Sequence, residues 1–76
     1  YDVVMEPLKE NLDAIVMEFK VQNTSKEKSL EQTVEHALYQ IREKQYDTEL
    51  LARGIAKERI RHYGFAFRGK EVLIGS

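Results

Sequence analysis

The stretch AIVMEFKV, residues 14–21, is apolar at six of its eight positions, and Glu18 and Lys20 stand near its end. Side chains alternate between the faces of a strand, so Ile15, Met17, Phe19 and Val21 fall on one side. Ala14, Val16, Glu18 and Lys20 fall on the other. A half-exposed strand alternates apolar and polar residues throughout, and this one does not. A strand apolar on both faces lies between two layers, where a charge is costly unless it is paired or bound. Glu18 and Lys20 therefore call for partners on the Ala14–Val16 side.

The rest of the pattern supplies the other elements. Residues 2–6, DVVME, read as a short strand, and Pro7 to Leu12 as a connecting turn. The second strand covers residues 13–21. Asn23-Thr24-Ser25 is a loop with capping chemistry, and either Thr24 with Glu27 or Ser29 with Gln32 can form a capping box. Up to about Gln45, Leu30, Val34, Ala37, Leu38 and Ile41 follow one helical stripe. A short helix is expected from Asp47 or Thr48 to Arg53, stopped by Gly54. Residues 59–67 read as a strand, Arg68-Gly69-Lys70 as a tight turn, and Glu71 to Ile74 as its partner. The order is β-β-α-(α)-β-β, an α/β or α+β domain.

A turn centred near residue 10 sets Asp2 opposite Glu18, Val4 opposite Val16 and Glu6 opposite Ala14. Opposed Cβ atoms on one face stand about 5 Å apart. Two carboxylates at that separation repel, and one is pushed up in pKa unless a cation lies between them. Lys20 projects from the same face. Such a trio suits Mg²⁺ or Mn²⁺, hard ions that keep waters and bind phosphate oxygens. From spacing alone, a cross-strand salt-bridge cluster is the better explanation of the three charges, because Asp followed later by Glu-x-Lys is common by chance. A slip of one residue would carry Asp2 to the other face.

Composition narrows the setting. The chain has 76 residues, 42% hydrophobic and 33% charged, which suits one small globular domain. It has no cysteine, so it has no disulfide framework and no thiolate metal site, in keeping with a reducing, cytoplasmic location. No apolar run reaches the length of a membrane span. The net charge of −1 conceals an asymmetry. Residues 1–52 hold six Lys/Arg against eleven Asp/Glu, and residues 53–76 hold six against two. A basic C-terminal flank beside an acidic centre can hold phosphates beside cations, although a mixed solvated surface gives the same count. There is no Gly-rich phosphate loop and no Ser/His/Asp constellation. His36 falls on the helix face away from the apolar stripe, in solvent, and His62 reads as a paired structural histidine. Tyr46 reads as a packing residue.

Asp2 followed by Glu18-Phe19-Lys20 resembles the D…(D/E)-x-K signature of the PD-(D/E)XK nuclease superfamily. ALYQIREKQY, residues 37–46, is similar to the A-x-x-Q-I-x-x-K-x-Y helix of one branch, with Gln40, Lys44 and Tyr46 in place. That branch is the nuclease-like domain at the C-terminus of bacterial AAA-ATPase-like proteins. The tail GFAFRGKEVLIGS resembles its closing hairpin through Gly64, Phe67, Gly69 and Lys70. The resemblance implies a restriction-endonuclease-like mixed sheet with flanking helices, here lacking the N-terminal helix and first strand. Residues 1–76 would be a single such domain, a C-terminal piece of a longer protein. It implies that Asp2 and Glu18 bind Mg²⁺ or Mn²⁺, that Lys20 is the catalytic lysine, and that Gln40 stands beside the active site. The expected activity is phosphodiester hydrolysis of nucleic acid, DNA first, with Arg59, Arg61 and Arg68 on the phosphates. The alternative is a non-catalytic interaction or regulatory module of an ATPase-like protein. Without an upstream strand, residues 2–6 would form a sheet edge through which the chain self-associates.

Overall fold

The computed structural model describes residues 2–7 and 12–76. Part of the expected Pro7–Leu12 turn, residues 8–11, lies outside them. Four strands form one mixed sheet in the order β1 (Asp2–Met5), β2 (Ala14–Val21), β3 (Ile60–Arg68), β4 (Glu71–Gly75). β1 runs antiparallel to β2, β2 parallel to β3, and β3 antiparallel to β4. Parallel neighbours need a crossover. Helices α1 (Leu30–Glu43) and α2 (Tyr46–Ala52) and the 3₁₀ turn Lys57–Arg59 provide it. This is the α+β arrangement and element order that the pattern predicts. β1 is an edge strand, and it ends one residue before the expected boundary, so Glu6 has no ladder partner opposite Ala14.

Helix α1 starts where its capping chemistry dictates. Ser29, in extended conformation, accepts the Gln32 N–H, and Gln32 Oε1 returns to accept the Lys28 N–H at 2.7 Å. One unpaired N-terminal donor of the helix and the N–H just before its cap are thereby satisfied. Glu31 in the first turn and Arg42 in the last complement the helix dipole. Thr33, Val34, Ala37 and Ile41 are the buried side of the helix. Ile41 joins Leu50, Ala14 and Val16 in the core, with Leu38, Tyr46, Ile55 and Ile60 packed around them.

The helix lies close to the sheet because the sheet is small beneath it. A Cβ on Gly64 would meet Ala37 Cβ and the Val34 carbonyl oxygen, each at 3.1 Å, and one on Gly75 would meet Val34 Cγ1 at 2.5 Å. Between α1 and α2 the chain turns through Gln45 in the left-handed region, at φ 56°. The opposite sheet face carries Phe19 stacked on Phe65, ring centres 4.7 Å apart, and on Phe67 at 6.2 Å. Val21, Val72 and Ile74 on that side are 74%, 52% and 55% exposed.

Candidate active site

The ladder sets Asp2 opposite Glu18 and Val4 opposite Val16, the register expected from the turn. Glu18 shares its face with Ala14 and Val16, under the helices, and is only 3% exposed. Lys20 follows two residues on along that face, half-buried, opposite the buried Ala66. The strand's inner face is therefore apolar over its first half and charged over its second. That division answers why charge interrupts AIVMEFKV: the helices cover Ala14 and Val16 with apolar side chains and Glu18 with polar ones.

The polar cover comes from the end of α1 and the start of α2. Lys44 Nζ lies 2.6 Å from Asp2 Oδ2 and 3.6 Å from Glu18 Oε1, between the two carboxylates. The Tyr46 hydroxyl donates to the same Asp2 oxygen. Burial alone would raise the Asp2 carboxyl, but hydrogen bonds from Lys44 and Tyr46, with the Lys44 charge, hold it below its ordinary range. The same contacts push the Lys44 ammonium and the Tyr46 phenol up. Asp2 Oδ1 is buried and has no hydrogen-bond partner among the described residues. Gln40 lies one helical turn before Lys44 and three residues after Ala37, whose Cβ borders Gly64 across from Glu18. It is half-buried.

The arginines do not form one surface. Arg61 sits on the opposite sheet face by strand alternation, and its Nε bonds Asp13 Oδ2 at 2.6 Å. Arg59 closes the 3₁₀ turn at the start of β3, whereas Arg68 ends that strand opposite Glu71. Arg61 and Arg68 are separated by about 23 Å along the strand. Arg68 alone shares both the face and the end of the sheet that hold Lys20.

Two residues outside the expected set join the site. Lys44 had a usable signal, because its i+4 spacing from Gln40 puts both on one flank of α1. Tyr46, expected only to pack, does pack against the core and also caps Asp2. Away from the site, His62 Nε2 pairs with Asp47 Oδ1 at 2.7 Å, as a structural histidine should. His36 is not simply solvated: its Nδ1 contacts the buried Glu27 carboxylate.

No cluster of three or more His, Cys, Asp or Glu side chains occurs among the described residues. The acidic donors are a pair. Two carboxylates and a buried open acceptor on Asp2 fit a hard divalent ion that retains waters better than a metal held wholly by protein. No described helix is long and apolar enough to cross a membrane.

A family model described as the PD-(D/E)XK nuclease superfamily matches residues 1–76. Neither the curated proteins nor the solved structures yield a match.

Proposed function

Because the chain belongs to the PD-(D/E)XK nuclease superfamily, we propose that it is a divalent-metal-dependent nuclease acting on nucleic acid, with DNA as the expected substrate. The observation that carries the reading is the pairing of Asp2 with Glu18 on the helix-covered face, Lys20 following on that face. Nucleases of this superfamily generally use divalent metals. Asp2, through Oδ1, and Glu18 would hold Mg²⁺ or Mn²⁺. When bound, such an ion lowers the pKa of a water and offsets charge on the scissile phosphate. Lys20 donates to the attacking water or to a phosphate oxygen as negative charge builds. Gln40, with an amide that both donates and accepts, orients water or substrate above the carboxylates. Of the basic residues, Arg68 is best placed to receive a flanking phosphate. Arg59 and Arg61 would contact nucleic acid only where it wraps to the far end of β3. Self-association through the β1 edge belongs to the same proposal, and sedimentation velocity reads it. A single monomer mass across a concentration series would refute that part.

The test is a set of thermal melts with and without Mn²⁺, together with cleavage of labelled DNA. An ion at a hundredfold its Kd stabilises a one-site protein by about 2.7 kcal/mol, or roughly 10–20 °C for a domain of this size. Wild type should show that shift, Glu18→Gln should lose it, and Lys20→Ala should keep it while losing cleavage. A wild-type melt indifferent to Mn²⁺ sinks the reading. One observation favours a non-catalytic module as the second reading: Lys44 and Tyr46 already engage Asp2 Oδ2. Under it, Mn²⁺ changes nothing and no substrate is cut.

A further inference from the structure

Two carboxylates opposed across an antiparallel ladder repel unless something positive stands between them. Lys44 stands there, 2.6 Å from Asp2 and 3.6 Å from Glu18. Lys20, although on the same strand face, forms no salt bridge with a described residue. Among the described residues, the ammonium that bridges the two carboxylates therefore comes from the helix. It reaches the pair from Lys44, the residue that caps the C-terminus of α1, and its side chain is 44% exposed. One end of the side chain is thus in the site and its flank is open to solvent. A lysine ammonium is a compact, strongly hydrated charge on a flexible stem, and it can leave such a position without moving backbone.

The second observation lies on Asp2 itself. Lys44 and Tyr46 both bond Oδ2, while Oδ1 is buried and without a partner among the described residues. The carboxylate is occupied on one oxygen and open on the other. A divalent ion accepted at Oδ1 would come within a few ångströms of the Lys44 ammonium, and like charges at that distance repel strongly in a half-buried site. Tyr46, being neutral, can stay.

We infer that Lys44 is a displaceable internal counter-ion: it holds the Asp2–Glu18 pair together in the metal-free protein and swings to solvent when a divalent cation enters. The inference rests on the reading of Asp2 and Glu18 as metal ligands. Its consequence is that the chain sets its own metal affinity, because every binding event must first expel a bound charge. Binding and displacement are linked, so removing the competitor must tighten the ion. Lys44 is then a positioning residue for the metal site and touches no substrate in this role.

The experiment is Mn²⁺ titration by calorimetry of wild type, Lys44→Met and Lys44→Arg, with melts of each in the absence and presence of saturating Mn²⁺. Lys44→Met should bind Mn²⁺ at least about tenfold more tightly. It should also melt lower than wild type without metal and recover most of the difference with it. Lys44→Arg, which keeps the charge, should stay near the wild-type Kd. A merely structural Lys44 predicts equal loss of melting temperature with and without Mn²⁺ and no change in Kd, and that result overturns the inference. If Lys44→Met does not fold, wild type itself decides. On Mg²⁺ saturation the NMR signals of the Lys44 ε-methylene should move toward those of a free lysine, and unchanged signals overturn the inference. If wild type binds but Lys44→Met binds no better, only the counter-ion idea falls. If neither protein binds Mn²⁺, the metal-site reading fails and takes this one with it.

Discussion

Gly64 sits beneath α1 and opposite Glu18, so it tests how the helix is held over the site. In Gly64→Ala the new Cβ would lie 3.1 Å from Ala37 Cβ, 3.1 Å from the Val34 carbonyl oxygen and 3.3 Å from Leu38 Cγ. Comfortable carbon contacts are about 3.5–4.0 Å. Only Leu38 can yield by changing rotamer. The other two neighbours are fixed to the helix backbone, so α1 must lift by a few tenths of an ångström. Alanine in a strand is worth about 0.5–1 kcal/mol over glycine, whereas overpacking costs about 1–3 kcal/mol. The clash should win by about 1–2 kcal/mol. In a domain this small, each kcal/mol moves the melting temperature by about 4–8 °C, so a fall of roughly 5–15 °C is expected. Urea melts should show a lower midpoint at an unchanged slope. The lift also carries Lys44 away from Asp2, which should return the Asp2 carboxyl toward its ordinary range by NMR titration. A midpoint equal to or above that of wild type refutes the claim that this helix needs a glycine beneath it.

Other expectations concern the polar contacts. The buried Glu27 carboxylate, 3% exposed, would be raised by burial, but the Asn23 N–H, the His36 ring and the Thr33 hydroxyl outweigh that and hold it low. A depressed carboxyl stabilises the fold above its unfolded-state pKa of about 4.3, and that stability is lost as pH falls through the folded value. Urea melts from pH 7 to 3 should therefore fall off below about pH 4, less steeply in Glu27→Gln, and an equal slope in both would count against it. Thr33→Val removes a 2.9 Å bond to that carboxylate and should cost about 1–2 kcal/mol by urea denaturation at pH 7. Gln45→Gly should stabilise by about 0.5–1 kcal/mol, since Gln45 is left-handed and its side chain makes no cap bond. A lower melting temperature would show that the turn is not strained. Tyr46→Phe should raise the Asp2 carboxyl in a ¹³C titration, because it removes a donor to the ionised form.

Short-range order alone determined much of this protein. Period-two alternation and one turn were enough to set Asp2 against Glu18, because a one-residue slip would have turned every buried side chain of that strand outward. Local capping chemistry narrowed the start of α1 to Thr24 with Glu27 or Ser29 with Gln32, of which the structure uses the second, and the 3.6-residue stripe marked the buried side. The parity of β3 separates Arg61 from Arg68 only because the strand runs through Arg68, which the sequence pattern places in the turn. What the tertiary structure decided is which groups meet over the carboxylates. Lys44 and Tyr46 are 42 and 44 residues from Asp2 along the chain. Their arrival depends on how closely α1 crosses Gly64 and on the left-handed turn at Gln45, and neither is written in a periodic pattern. Glu27 is similar: the sequence offers it only as a capping partner of Thr24, and the fold instead gathers Asn23, Thr33 and His36 around it. Local bonds repay their entropy within a few residues and so leave a local signature. A contact between distant residues exists only after the whole chain has packed, and its energy is spread over everything that holds the two elements together.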